Sequence, residues 1–119
     1  MAQDNRSALD AFYRRAVELA DQARGWFDGP GVEWRAGLPV DAQAAVAVES
    51  LGTTARLIAV MSWLLDPAQG AARPPAFAPS VDPDLPTDSP LTGTIGGEIA
   101  MASRGLAAEI AALAGRAAA

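Results

Sequence analysis

The sequence predicts an all-α protein, a three-helix antiparallel bundle forming a single domain over residues 1–119, with a Pro-rich linker before the third helix. Three observations carry that expectation. Apolar residues recur at helical spacing in three separate segments. The first two segments end at Asp28-Gly29-Pro30-Gly31 and at Asp66-Pro67, both strong helix breakers. Seven of the nine prolines fall between Pro67 and Pro90, where neither helix nor sheet should persist.

Helix one is expected over about residues 8–27. Leu9, Phe12, Ala16, Leu19 or Ala20, Ala23 and Trp26 or Phe27 keep a helical period, and Asp10, Arg14, Arg15, Glu18, Asp21 and Arg24 mostly take the other side. Ser7 suits an N-cap, because its hydroxyl can accept from free amides of the first turn. Asp28, Gly29, Pro30 and Gly31 form the helix-terminating turn, glycine taking the left-handed conformation and proline refusing to continue the ladder. Residues 32–38 follow as a short connection. Trp34 and Leu38 are expected to cover the end of the bundle, a partner contact being the alternative for Trp34.

Helix two, about residues 39–65, is the central rod, with Pro39 and Asp41 suited to its first turn. Ala44, Val48, Leu51, Ala55, Ile58, Ser62 and Leu65 alternate in steps of four and three, which makes one continuous stripe. A second stripe of Ala47, Thr54, Leu57, Met61 and Leu64 lies beside it. Two adjacent buried faces call for two neighbours. The remaining flank carries Glu49, Thr53, Arg56, Val60 and Trp63, and its apolar pair makes it the expected partner or dimer interface, with Glu49 and Arg56 each free to pair with helix one, a dimer mate or a partner.

The linker, residues 67–93, reads as extended and largely solvated, with polyproline character. Phe77, Val81, Leu85 and Leu91 leave open that it docks along the bundle or presents a peptide motif. Helix three is expected over about residues 94–116, with Ile95, Ile99, Ala102, Leu106, Ile110 and Leu113 as a seam. Gly96, Gly97 and Gly105 weaken it by about 1 kcal/mol each, unless they serve close helix approach. Arg116-Ala117-Ala118-Ala119 is read as the frayed end of an alanine-rich helix, with recognition by a ClpX-type unfoldase as the alternative.

Composition narrows the chemistry. There is no histidine, cysteine or lysine, so the commonest general base, thiol nucleophile and Schiff-base amine are missing. No catalytic residues, metal ligands or cofactor are expected, and the chain is read as a non-enzyme. A net charge of -5 with nine scattered arginines argues against nucleic acid and against an anionic membrane surface. The apolar run Leu57–Leu65 is too short to span a bilayer, and the N-terminus lacks a signal-peptide core, so a cytoplasmic location is expected.

Trp26-Phe27-Asp28-Gly29-Pro30-Gly31, then Glu49-Ser50-Leu51, Thr54, Arg56-Leu57 and Ser62-Trp63-Leu64-Leu65, resemble the alphaproteobacterial regulator of CtrA degradation (RcdA) family. The resemblance covers about residues 12–65. It implies a dimeric three-helix bundle acting as an adaptor that brings a cell-cycle response regulator, or a second adaptor, to the ATP-dependent protease ClpXP. The expected function is therefore a non-catalytic adaptor in regulated proteolysis, with a homodimer as its form. The alternatives are a structural or assembly module with no protease role, and a small-ligand-binding helical protein with a pocket between helices one and two.

Overall fold

A computed structural model describes residues 2–66 and 84–118, with side chains described over 6–66 and 84–114. The described residues form helices and turns only: α1 (Ala2–Phe27), α2 (Pro30–Ala36), α3 (Val40–Leu65) and α4 (Ile95–Ala118). α1 begins at Ala2, so Ser7 lies inside the helix instead of capping it. The break after α1 is also tighter than expected. Asp28 and Gly29 alone make the turn, and Pro30 opens α2 at its first position, where its missing N–H costs nothing. Glu33 in the first turn and Arg35 in the last match the dipole of this short helix.

Trp26 locks that corner. Its ring meets Phe27 edge-on at 5.1 Å and Trp34 at 5.5 Å. Gly31 of α2 and Gly96 of α4 both sit against the indole, and a Cβ at Gly96 would overlap the ring. Trp34 and Leu38 pack here as expected, closing the end of the bundle around Ala23, Phe27, Val46, Leu91 and Ile99.

A second core cluster lies farther along the rod and joins Ala16 and Leu19 of α1, Leu57 and Val60 of α3, and Leu106, Ala107 and Ile110 of α4. The order of residues through the two clusters gives the topology. Along α3 the chain passes from Val46 to Val60, along α4 from Ile99 to Ile110, and along α1 the opposite way, from Ala16 to Phe27. α1 is therefore antiparallel to both partners, while α3 and α4 run parallel. This corrects the expected antiparallel succession. At 1.5 Å per residue α3 is ~39 Å long, and the connection from Leu65 to Ile95 must recover most of that length.

The segment between α3 and α4 divides. Residues 67–83, with Phe77 and Val81, lie outside the described residues, as do the side chains of the Arg116–Ala119 terminus. Residues 84–94 are not an extended solvated strand. They form successive turns closed by Ser89 N–H to Pro86 O, Thr92 N–H to Ser89 O and Thr94 N–H to Leu91 O, and they bury Leu91 completely. Thr94 then caps α4: its hydroxyl accepts from Gly97 N–H at 3.0 Å and donates to Leu91 O at 2.7 Å. The α4 seam is buried from Ile99 through Leu106 to Ile110, but Ile95 remains exposed.

Candidate functional site

Two α3 faces exchange the roles that the sequence suggests for them. Glu49, Thr53, Arg56, Val60 and Trp63 do share one flank, and α4 of the same chain covers it. Val60 and Thr53 are wholly buried, and Trp63 is half-buried against the cluster of Leu57 and Leu106. The expected free interface on this flank is thus corrected: it is interior.

Its charges are satisfied from α4. Arg104 forms a bidentate pair with Glu49, Nη2 lying 2.9 Å from both carboxylate oxygens and Nε 3.1 Å from Oε1. Both side chains are largely buried. Arg56 donates to Ser103 Oγ at 2.7 Å, and the Ser103 hydroxyl in turn donates to Ala100 O at 2.7 Å. Burial holds the Arg56 guanidinium below the usual arginine range, Arg104 adds repulsion, and Glu49 partly offsets both. Thr53 Oγ1 lies beside this network, buried with no hydrogen-bond partner. The sequence reading missed Ser103 and Arg104, because nothing local to α4 says that these neighbours in sequence face Arg56 and Glu49.

The uncovered face is the stripe from Ala44 to Leu65 expected to be core, and Val40 at the start of α3 extends it by one turn. Val40, Val48, Leu51, Ile58 and Leu65 are 82, 70, 72, 55 and 65% exposed, and Ala44, Ala55 and Ser62 between them are exposed too. The charges of α3 are Asp41, Glu49 and Arg56. The last two turn inward, so the outward face bears no charge from Ala42 to Leu65. α3 is also long and apolar enough to cross a membrane by length and composition, with only 22% of its most apolar window buried. That corrects the expectation that no segment reaches such a length.

Beside this stripe, α1 and α3 leave an open groove of about 390 Å³ lined by Ala20, Arg24, Phe27, Ser50, Thr54 and Ile58, among others. The acids at its rim, Asp21 and Asp28, are exposed, so it has no buried carboxylate among the described residues. No group of three or more potential metal ligands occurs among the described residues.

A family model described as Protein of unknown function (DUF1465) matches residues 1–73. The chain belongs to the DUF1465 family. No curated protein and no solved structure matches it. The DUF1465 match takes in α1, α2 and α3, and therefore the Asp28-Gly29 corner, the outward stripe and Glu49 with Arg56. Helix α4, which supplies Ser103 and Arg104, lies beyond it.

Proposed function

We propose that this DUF1465 chain is a non-catalytic protein-interaction module, acting as a cytoplasmic adaptor that delivers a cell-cycle response regulator, directly or through a second adaptor, to a ClpXP-type protease. One observation supports the interaction role: five large apolar side chains stand exposed in a single line on a helix face without charge. Contiguous apolar exposure of that kind marks a surface evolved to be covered. The adaptor role draws its support from the RcdA-like residues of α1 and α3, which fall within the family match.

The test is reconstitution. A ClpX-type unfoldase with its peptidase and a phosphorylation-regulated receiver protein should degrade the receiver at least several-fold faster with this chain present. Leu51→Arg, at an exposed site, should abolish the gain while leaving the helical circular dichroism unchanged. No acceleration, together with no co-purification of an unfoldase, would overturn the adaptor role. The same stripe also favours a second reading, an assembly module without a protease role, which predicts partner capture with no effect on degradation.

A further inference from the structure

We infer that the groove between α1 and α4 binds a short extended peptide of a partner protein, one carrying two apolar side chains two residues apart with an arginine or lysine between them. The groove holds about 520 Å³, is open along its length, and is lined by no residue of α3. It is therefore a surface separate from the outward stripe of α3. Leu19 and Trp26 of α1 and Ile99 and Ala102 of α4 form its floor, with Pro30 and Ile95 at one end. Among the α4 seam residues Ile95 alone is exposed, at 60%, and the groove is what it faces. The wall is formed in advance. The Trp26 indole stands edge-on to Phe27 at 5.1 Å and lies against Gly31 and Gly96, so no part of the peptide has to order it. Gly25, also on the groove, sits in the last turn of α1, where glycine weakens a helix, and a Cβ there would meet nothing within 4 Å. Packing does not call for that glycine; the space before it belongs to the groove.

Length, hydrogen bonding and charge select the occupant. From Leu19 to Trp26 on one side and from Ile95 to Ala102 on the other, the floor runs about 10 Å along the helices. Side chains on one side of an extended chain repeat every ~7 Å, so two of them fit. A pocket for a small molecule encloses most of its ligand, whereas this groove leaves one whole side to solvent, as a passing chain requires. The Gln22 carboxamide has no partner among the described residues, and it offers the donor and the acceptor that a peptide bond pairs with. Glu98 is the charged residue of the lining, and its carboxylate likewise has no partner among the described residues. Glu18 lies one turn before Gln22 on α1, and Arg15, one turn beyond Leu19, is already paired with Glu109 at 2.8 Å. The local field is negative and favours a cation. In an extended chain the residue between two inward side chains points off the floor, toward the rim where Glu98 stands.

The test is an NMR titration of the full nitrogen-15-labelled chain with acetyl-Leu-Arg-Leu-amide. The amides of Gly25, Glu98 and Ala102 and the Trp26 indole N–H should shift saturably, with a Kd between about 0.1 and 1 mM. Acetyl-Leu-Glu-Leu-amide should bind at least about tenfold more weakly, and Glu98→Arg should reverse that order. Gly25→Leu should remove the saturable shifts without lowering the thermal midpoint, because the added Cβ has room and the helix gains a better former. Leu51→Arg, on the other surface, should leave both affinities unchanged, so failure of the adaptor role and failure of this site are read separately. No saturable shift at the four groups, equal affinity for the two peptides, a preference that Glu98→Arg leaves in place, or shifts confined to the α3 stripe would each overturn the proposal.

Discussion

Two arginines share the α3–α4 interface, and their surroundings give them opposite weights. Arg104 is largely buried and answers Glu49 with both nitrogens, so its removal strands a buried carboxylate. Arg104→Met should cost about 3 kcal/mol, measured by urea denaturation, and Glu49→Leu added to it should restore much of that loss. Arg56 has burial and Arg104 set against its charge, and its acceptor Ser103 keeps a bond to Ala100 O without it. Arg56→Met should therefore leave stability within about 0.5 kcal/mol of wild type. Thr53 makes a third case. Its hydroxyl is buried without a partner, so the isosteric Thr53→Val should stabilise the fold by about 1 kcal/mol, raising the urea midpoint with an unchanged slope.

At the level of the helices, glycines that look alike in the sequence do different work. A Cβ at Gly105 meets nothing within 4 Å, whereas one at Gly96 runs into the Trp26 ring. Gly105→Ala should gain about 1 kcal/mol from helix propensity. Gly96→Ala should lose about 2 kcal/mol despite the same gain, because the indole that joins α1, α2 and α4 must move. Thermal unfolding of the two variants, shifted in opposite directions, checks this. Periodicity made α1, the rod α3 and most of α4 legible, since the spacing of Leu9 to Phe27 or Ile99 to Ile110 depends only on the helix itself. It could not say which side of α3 the neighbours occupy. The greasier stripe from Ala44 to Leu65 reads as interior, and Glu49 and Arg56 beside the apolar pair Val60 and Trp63 make the other flank read as an exposed partner or dimer interface. What reversed them was a pair of residues on a distant helix, Ser103 and Arg104, which satisfy those charges within the core. α2 escaped for a different reason: the two glycines around Pro30 read as a break, yet Gly31 is there to clear Trp26 while the helix continues.

The whole molecule turns on α3 and α4 being parallel, a relation no local pattern encodes. The Asp84 carbonyl lies 3.4 Å from Arg104 Nη1, at the level of Glu49, whereas Asp66 ends the helix 17 residues farther on, a separation of ~25 Å. Joining Asp66 directly to Asp84 cannot bridge that distance. Deleting residues 67–83 should therefore pull residues 84–94 off the bundle, withdraw the fully buried Leu91 from between Phe27 and Ile99, and release the start of α4. Hydrogen exchange would show it as lost protection at the amides of Gly97 to Ala100 while α1 and the middle of α3 stay protected. Replacing the same residues with a Gly-Ser segment of equal length, whose r.m.s. span is ~23 Å, should preserve protection throughout. If the deletion left α4 as protected as wild type, α4 would have to reach its place by another route, and the parallel arrangement itself would be wrong.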